Sequence, residues 1–435
     1  MKKVISNITK IVESELCNGC GTCYSICPRN AISIKENKKL GILFAEVDEE
    51  NCVYCGKCTR VCPSTEIVIN NNLSKNKLIG NYNQLLYGYS LDDNLRYRAS
   101  SGGIISTLLK YLIEKNIIDG FVLVKPSEET PFLYEPYIST DIEDIYKYAG
   151  TRYFPIPVNK ILKEINSREG KFAVIGTPCQ MYGISKYATI DPKIKDKIYI
   201  KIGFFCGGAP NLNAYKYYIF ANGIKKENLK SIYRGFGWPG NNVFEYNDGK
   251  KILKPRRPKS FFEQVYHTLS FFPIFTQKRC LLCIDRFSSF ADISVGDAWL
   301  DIFKDDKKGT SLIITRNDKI DEILLKMKEE GYIYFDSISE DQVIHSQRIF
   351  SDFYNNIYTT YKILLRNNLD INLSTGENYI SYSWLVKLLL ITFGMKISAY
   401  RWLWRVLFIY GIFFMYTYRF VDYIATVLKN LSRKS

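Results

Sequence analysis

Eight of the twelve cysteines in this 435-residue chain form two copies of one pattern, and this repeat constrains the fold more than any other feature. The copies share one spacing and start 35 positions apart: Cys17, Cys20, Cys23, Cys27 and Cys52, Cys55, Cys58, Cys62. A proline, Pro28 or Pro63, follows each copy. Cysteines clustered in this way are typical of metal ligation in a reducing compartment, not of a disulfide framework.

The spacing Cys-x2-Cys-x2-Cys-x3-Cys-Pro is that of bacterial ferredoxins, in which the fourth cysteine of each run binds the other 4Fe–4S cluster. One cluster is therefore predicted on Cys17, Cys20, Cys23 and Cys62, and a second on Cys52, Cys55, Cys58 and Cys27. Gly19, Gly21 and Gly56 let the backbone curl its amides towards the sulfides. Zinc knuckles or a disulfide scaffold are the alternatives, but zinc sites use CxxC pairs with longer spacers.

Length and composition exclude a disordered or fibrous protein, because 46% of the residues are apolar and the chain is long enough for two to three domains. The formal charge of +15 predicts anionic partners such as a phosphate-bearing cofactor, an acidic redox protein, a membrane surface or nucleic acid. Only two histidines occur, His267 and His345, which argues against several imidazole ligands or a Ser/His/Asp relay.

Beyond a polar, Asn- and Lys-rich stretch at 70–83, which we interpret as a linker, strand-like and helical patterns alternate and predict a mixed or α/β body. The predicted strands are 121–124, 172–176, 198–205 and 293–296, and the predicted helices are 104–115 and 320–330.

Several short motifs of this body occur in a fixed order: Ser100-Ser101-Gly102-Gly103, Gly150-Thr151-Arg152-Tyr153, Gly176-Thr177-Pro178-Cys179-Gln180, Phe205-Cys206-Gly207-Gly208, Cys280-x2-Cys283 and Ala291-Asp292-Ile293-x2-Gly296-Asp297. Together they resemble the coenzyme F420 hydrogenase/dehydrogenase beta-subunit family, over roughly residues 10 to 320 with the ferredoxin module. The resemblance implies an FAD-binding flavoprotein that passes electrons between coenzyme F420, ferredoxin or other acceptors and a dedicated substrate or partner subunit.

The resemblance implies FAD contacts at Ser100, Ser101, Gly102, Gly103, Arg152 and Thr177. The first four precede an apolar helix, so either serine can cap it, and a helix N-terminus is a natural place for a pyrophosphate. A plain helix cap is the alternative there. Arg98 and Arg152 could contact phosphate or a reduced flavin, or be ordinary surface arginines.

The remaining four cysteines are Cys179, Cys206, Cys280 and Cys283. Cys179 and Cys206 each follow a predicted strand, and the carboxyl ends of these two strands converge on one crevice if the sheet is parallel. By the family pattern the four hold a third 4Fe–4S cluster. Buried packing thiols at Cys179 and Cys206, with a redox pair or zinc half-site at Cys280 and Cys283, are the alternative.

Two further segments carry charge or aromatic residues that suit a substrate: 233–238 and the basic loop 254–259. The loop could grip phosphate or a glutamate tail such as coenzyme F420 carries, or be an ordinary solvated loop. Asp292 and Asp297 could orient a cofactor or serve as turn caps. We expect no nucleic-acid partner, because no recognition element accompanies the basic residues.

The chain ends in an aromatic, basic segment, with eight Lys or Arg and one acidic residue between Trp384 and Ser435. Its longest uncharged run, 406–418, is short for a bilayer core, so an amphipathic segment in the cytoplasmic interface fits better than a membrane span. A helical pair packed on the body or on a partner is the alternative.

These observations predict an α+β chain with a two-cluster ferredoxin domain at 1–72, a flavin-binding α/β body at 80–165 and 166–335, and a helical tail at 336–435. We expect a cytoplasmic enzyme, able to lie at the inner face of the membrane, that uses three 4Fe–4S clusters and FAD with coenzyme F420 as substrate. Its partners would be ferredoxin or a redox subunit and a small hydride donor or acceptor. The alternatives are a ferredoxin-dependent flavin reductase of another organic substrate, as in a cell-surface polysaccharide pathway, and an electron-transfer subunit without its own substrate.

Overall fold

The structure is a computed structural model that describes residues 7–70, 76–128, 132–271, 273–365, 372–373 and 380–432. The predicted linker at 70–83 therefore falls in part outside the described residues. Its described end, residues 76–83, leads directly into the first strand of the large sheet.

The N-terminal module is built from short elements joined by the cysteine loops: α1 (Thr9–Glu13), α2 (Thr22–Ile26), β1 (Ile32–Asn37), β2 (Ile42–Val47), α3 (Lys57–Arg60) and β3 (Glu66–Ile67). Strands β1 and β2 pair as an antiparallel hairpin. Gly21 and Gly56 have positive φ angles of 89° and 70° and start α2 and α3, which turns the loop into the helix at no Cβ penalty.

The described residues of the body form eleven strands: β4 (Gln84–Ser90), β5 (Gly120–Pro126), β6 (Tyr134–Ser139), β7 (Phe172–Gly176), β8 (Ile198–Phe204), β9 (Leu229–Gly235), β10 (Asn241–Tyr246), β11 (Lys251–Pro255), β12 (Ile293–Asp297), β13 (Ser311–Thr315) and β14 (Ile333–Ser337). Eight of them form one mixed sheet in the order β14-β4-β13-β12-β8-β7-β5-β6. Strands β5, β7, β8 and β12 run parallel, so their carboxyl ends share one edge. The other three form an antiparallel sheet in the order β11-β10-β9.

The helices of the body are α4 (Asp93–Arg98), α5 (Ile104–Glu114), α6 (Ile142–Lys147), α7 (Leu162–Ser167), α8 (Pro178–Ile190), α9 (Lys193–Lys197), α10 (Leu212–Ala221), α11 (Phe261–Phe271), α12 (Lys278–Leu281) and α13 (Asp318–Glu329). Helices α5 and α13 share one apolar core with the sheet, and α7 and α8 share a second one. Because helices cover both faces, the central strands are continuous apolar runs, as in the fully buried β13.

The C-terminal part is helical: α14 (Glu340–Ser346), α15 (Arg348–Asn355), α16 (Ile357–Leu365), β15 (Asn372–Leu373), α17 (Tyr382–Ser398) and α18 (Trp404–Ser432). Ile357 and Leu365 of α16 belong to the same apolar cluster as Cys17 and Cys58 of the N-terminal module. Strand β15 also pairs with β3 of that module. The N-terminal module and the tail therefore share a core, and the predicted domain boundaries stay predictions.

The predicted elements of the body are confirmed. The four predicted strands correspond to β5, β7, β8 and β12, and the two predicted helices correspond to α5 and α13, with ends that differ by at most two residues. The mixed sheet with a helical C-terminal region agrees with the predicted α+β class.

The central strand β13 provides a test of the core. Ile313 is fully buried there, whereas Leu325 on α13 is 52% exposed. Replacing Ile313 with Ala is expected to lower the free energy of unfolding by about 2 to 5 kcal/mol, because it leaves a cavity in a closely packed core. Leu325→Ala serves as the control and is expected to change it by about 0.5 kcal/mol or less. Denaturant titration of both variants checks this, and equal midpoints would contradict the assigned position of β13.

Candidate functional site

The cysteines of the N-terminal module separate into two groups of four, each around its own cavity. The middle set, Cys17, Cys20, Cys23 and Cys62, lines about 290 Å³ of empty space. The outer set, Cys27, Cys52, Cys55 and Cys58, lines about 360 Å³. In both sets the fourth cysteine comes from the other sequence copy, so the structure brings together the groups that the ferredoxin spacing predicts.

The two sets differ in their access to solvent. Burial raises the pKa of Cys17, Cys20 and Cys62 to about 11, because a thiolate loses its hydration inside the module. Cys55 of the outer set is exposed. Bound iron would offset this desolvation and deprotonate the thiols. The outer set is therefore the one that an external protein can approach.

The middle set is fastened to the body through Asn159, which is fully buried. Its backbone amide donates to the carbonyl of Cys20 at 2.9 Å, and its side-chain amide donates to Thr22 Oγ1 at 2.8 Å and to the carbonyl of Gln180 at 2.9 Å. One residue thus connects the loop of Cys20 with the first turn of α8.

The four later cysteines form a third group, the inner set. Cys179 lies in the first turn of α8 after β7, Cys206 follows β8, and Cys280 and Cys283 lie in and after α12. Burial raises the pKa of the Cys206 thiol to about 12. Cys280 is close enough to both Cys179 and Cys206 for its charge to raise their pKa further. The structure therefore gathers four thiols that are separated by up to about one hundred residues in the sequence.

Arg286 holds the loops of the inner set in place. Its guanidinium donates to the carbonyls of Cys283 at 3.2 Å, Gly207 at 2.6 Å and Cys280 at 3.0 Å. The side chain is 1% exposed and stacks on the ring of Phe353 at 3.8 Å. Five donors in a rigid fork suit an arginine to this task better than a lysine.

The inner set lies beside the middle set. Burial raises the pKa of the Cys179 thiol, and Cys20 is close enough for its charge to raise this pKa further. Arg279 bridges the two groups, because its Nη2 donates to the carbonyls of Pro63 at 3.1 Å and Glu66 at 2.9 Å. A further cavity of about 290 Å³ between the N-terminal module and the body is lined by both Pro63 and Cys179.

Among the described residues, no three His, Cys, Asp or Glu side chains converge as closely as the ligands of a single metal ion do. A 4Fe–4S cluster binds each thiolate through a different iron, so its ligands stand further apart than those of one ion.

The predicted cap of α5 is wrong. The N-cap of this helix is Gly103, with a φ of 80°, and no side chain caps it. Ser100 Oγ instead donates to the carbonyl of Arg234 at 2.9 Å and accepts from the amide of Thr151 at 2.7 Å. Ser101 Oγ donates to the carbonyl of Thr310 at 3.0 Å. Both hydroxyls therefore fasten neighbouring segments of the chain instead of capping α5.

Gly102, Arg152 and Thr177 also take part in the fold itself. The amide of Gly102 donates to Ser311 Oγ at 2.9 Å. Arg152 is half-buried, and the lost hydration of its guanidinium lowers the pKa of this group. Its Nη1 donates to the carbonyls of Tyr148 and Gly150. Thr177 caps α8, and its Oγ1 lies 3.2 Å from the sulfur of Cys179.

A buried ion pair stands where several motifs meet. Arg234 in β9 is 1% exposed, and its Nη1 lies 2.6 Å from Asp297 Oδ2 at the carboxyl end of β12. Nη1 also donates to Tyr153 Oη at 3.1 Å, and Nε donates to the carbonyl of Pro239 at 3.0 Å. Its Nη2 has no hydrogen-bond partner among the described residues.

Aromatic rings and further arginines surround this pair. The rings of Trp238 and Trp299 are 4.3 Å apart, and Arg257 stands over Trp299 at 4.9 Å. Burial together with Arg256 and Arg234 lowers the pKa of His267 to about 3. Arg234, Arg256 and Arg257 bring positive charge to this region, which suits an anionic ligand.

The large sheet places the region around Arg234 on the same edge as the inner cysteine set. Strand β8 has β7 on one side and β12 on the other, and all three are parallel. Thr177, Cys206 and Asp297 follow or end these strands, so they line the same edge of the sheet. Adjacent strands are about 4.8 Å apart, which sets the scale of the spacing along this edge. Ligands of open α/β sheets bind at such carboxyl edges.

Comparison with known proteins agrees with this arrangement. Residues 16–65 match the 4Fe-4S dicluster domain. Two models of the coenzyme F420 hydrogenase/dehydrogenase beta subunit match the body, the N-terminal one at residues 85–163 and the C-terminal one at residues 169–341. The chain belongs to the coenzyme F420 hydrogenase/dehydrogenase beta-subunit family. The resemblance seen in the motifs is thereby confirmed.

Individual relatives of this family member are distant. The beta subunit of the coenzyme F420 hydrogenase of Methanothermobacter thermautotrophicus is 26% identical over 269 residues, which are 60% of this chain and 87% of the relative. A subunit of the F(420)H(2) dehydrogenase of Methanosarcina mazei is 26% identical over 316 residues, 68% of this chain and 81% of the relative.

A solved structure shares the fold. It is described as a xenon derivatization of the F420-reducing NiFe hydrogenase complex from Methanosarcina barkeri, and it superposes with a TM-score of 0.52 at 22% sequence identity. The match covers 69% of this chain and 99% of the other chain.

Sequence reasoning missed three residues of this family member that hold the site together: Asn159, Arg279 and Arg286. Arg279 stands next to Cys280 in the sequence, and Arg286 follows Cys283 by three residues, so a cation close to a cysteine pair was the available signal. Asn159 carries no local signal. Arg234 was part of a segment assigned to the substrate side, but its pairing with Asp297 was not predicted.

The lowered pKa of His267 predicts that the free energy of unfolding depends on pH. The folded protein keeps His267 neutral down to about pH 3, whereas the unfolded chain protonates it near its ordinary pKa of 6.5. The contribution of His267 to the free energy of unfolding is thus fully present above pH 6.5 and is lost as the pH falls towards 3. The loss between pH 6.5 and 5 is about 2 kcal/mol.

Unfolding of wild type and His267→Gln at several pH values between about 5 and 7.5 checks this. The variant is expected to lose stability less steeply on acidification. His345 and all carboxylates are common to both proteins and serve as internal controls. Parallel curves would show that His267 keeps its ordinary pKa in the folded protein.

Proposed function

We propose that this family member is an iron–sulfur flavoprotein oxidoreductase that exchanges hydride with coenzyme F420 or a related carrier, and exchanges single electrons with ferredoxin or a partner redox subunit. The outer, middle and inner cysteine sets follow one another, and the inner set lies at the sheet edge that also carries the Arg234–Asp297 pair. This succession is the observation that carries the proposal.

The cysteine sets suit 4Fe–4S clusters in number and surroundings. Each set offers four thiols, and the outer and middle sets line cavities of about 360 and 290 Å³. Iron–sulfur clusters supply one-electron transfer when bound, and a flavin supplies the exchange between one-electron and two-electron transfer. The alternative for the inner set, packing thiols beside a zinc half-site, is disfavoured because all four thiols meet in one place.

The exposed outer set is the proposed docking point for a redox partner. Cys55 is exposed, and the neighbouring Val53 and Tyr54 are 56% and 52% exposed. Apolar side chains beside a solvent-accessible ligand suit a small, transient interface of the kind that electron-transfer partners form. The names of the relatives describe subunits, which supports a partner redox subunit here as well.

FAD is proposed to bind at the sheet edge between the inner set and Arg234. The unpartnered Nη2 of Arg234 offers a buried cationic donor to an anionic group, and the uncapped start of α5 offers free backbone amides. Ser100, Ser101, Gly102, Gly103, Arg152 and Thr177 stay the proposed contacts, with the two serines and Arg152 acting mainly by shaping the site.

The hydride carrier is proposed to approach from the side of Trp238, Trp299 and Arg257. Coenzyme F420 is anionic and carries a planar ring, and this region combines two neighbouring indoles with guanidinium groups. No general base is assigned, because hydride exchange between stacked rings depends on their orientation and on the polarity around them.

The decisive experiment is anaerobic purification of the full chain, with iron, sulfide and flavin measured per chain, followed by addition of reduced coenzyme F420. We expect about 12 iron atoms, one FAD and rapid bleaching of the flavin. Flavin that reduced coenzyme F420 does not bleach, in a fully loaded protein, would indicate a reductase of another substrate. Bleaching that requires an added partner would indicate an electron-transfer subunit.

Single cysteine variants test the division into sets. Cys206→Ser is expected to reduce the iron content from about 12 to about 8 atoms and to leave the electron paramagnetic resonance signals of the other two clusters unchanged. Cys55→Ser is the matched control, with the same loss of iron but from the outer set. A Cys206→Ser protein that retains all its iron would remove the inner cluster from the proposal.

A further inference from the structure

Helix α18 carries an unbroken apolar stripe on its exposed face. Its members recur every three or four positions and are 49 to 76% exposed: Trp402 just before the helix, then Val406, Ile409, Phe413, Tyr416, Phe420 and Tyr423. Isolated exposed apolar side chains are common on protein surfaces, but a contiguous patch of this length marks a contact with a membrane or another protein.

Helix α17 carries a second stripe with the same spacing. Tyr382, Val386, Leu389 and Phe393 are all exposed, and so is Tyr400 just beyond the end of the helix. Between these positions, Trp384, Leu388 and Ile391 are buried against the body. Each helix thus has two apolar faces, of which only one is covered by the protein.

The two stripes face away from the same part of the body. Gly394 of α17 lies against Ile274, and Gly411 of α18 lies against Leu269. Because both helices rest on the segment 265–275, their uncovered faces point to the opposite side. Phe262 extends this surface, since it is 60% exposed and stacks on Phe408 at 5.4 Å.

The charges of this region indicate what covers it. From Ile380 to Val421 the sequence has no Asp or Glu and five basic residues, Lys387, Lys396, Arg401, Arg405 and Arg419. Of these, Lys396, Arg401 and Arg405 are exposed, whereas Lys387 is buried over the ring of Tyr418. A basic surface with tryptophan and tyrosine around an apolar stripe fits anionic lipid headgroups above acyl chains.

Length and shape favour a position in the membrane surface. Among the described helices, none alone has the length and hydropathy of a membrane span, but the pair Tyr382–Ser398 and Arg401–Tyr418 does so together, with a bend of 111° between its halves. Helix α17 spans about 26 Å, less than the roughly 30 Å of a bilayer core. A sharp bend and one face packed on the body suit a hairpin that enters one leaflet.

We propose that α17 and α18 bind this protein to an anionic membrane surface, with their exposed stripes inserted at headgroup depth and Arg401 and Arg405 contacting lipid phosphates. This inference is independent of the proposed redox function.

Flotation of the full chain with vesicles tests the proposal. We expect the protein to float with vesicles of phosphatidylglycerol and phosphatidylcholine, and less with phosphatidylcholine alone. The triple variant Ile409→Glu, Phe413→Glu and Tyr416→Glu is expected to bind more than about a hundredfold more weakly, because three large apolar side chains no longer enter the bilayer.

The control is a second triple variant at exposed apolar positions elsewhere, Leu91→Glu, Ile302→Glu and Leu325→Glu. It changes the net charge by the same amount and is expected to float as the wild type does. Arg401→Gln with Arg405→Gln should remove most of the preference for anionic vesicles, a change of about tenfold or more. Iron content confirms that each variant is folded.

Three results would overturn the proposal. The wild type could fail to float with either kind of vesicle, or both glutamate triples could float equally well. Sedimentation without lipid could also show a dimer that only the stripe variant converts to a monomer. That result would assign the stripes to a second copy of the chain.

Discussion

The candidate redox site depends on one buried guanidinium. Arg286 connects the carbonyls of Gly207, Cys280 and Cys283, and so fixes the two loops that supply three of the four inner cysteines. Placing a cation in the interior is costly unless its donors are used, and here three carbonyls and the face of Phe353 compensate the lost hydration. Without it, these loops would lose three of the hydrogen bonds that join them, although the backbone amide of Cys206 would still donate to the carbonyl of residue 286 at 2.9 Å.

Similar contacts join the three cysteine sets into one path. Asn159 fixes the loop of Cys20 to the start of α8, and Arg279 fixes the loop after α12 to the residues that follow Cys62. Both connections run through backbone carbonyls, so they are insensitive to the oxidation state of a bound cluster. Burial raises the pKa of the Cys280 and Cys283 thiols, and the positive charges of Arg279 and Arg286 oppose this rise. The same charges would favour the reduced, more anionic state of a cluster.

The tail contributes to the N-terminal module as well as to the outer surface. Helix α16 shares an apolar core with the cysteine-bearing module, and α17 and α18 rest on the segment 265–275. A module of about seventy residues buries little apolar surface by itself. Packing against α16 gives it further apolar contacts, while α17 and α18 place their exposed stripes on the outside of the molecule.

Local patterns in the sequence were sufficient to predict the cysteine repeat, the strands β5, β7, β8 and β12, and the family. These features depend on the spacing of cysteines and apolar residues along the chain, and this spacing can be read directly from the sequence. The pairing of Arg234 with Asp297 and the use of Ser100 and Ser101 to fasten distant segments depend on which strands become neighbours. Only the tertiary structure decided these, because hydrogen bonds between distant segments leave no periodic signal in the sequence. The exposed stripes of α17 and α18 belong to the same class: both faces of each helix are apolar in the sequence, and packing on the body determined which face stays uncovered.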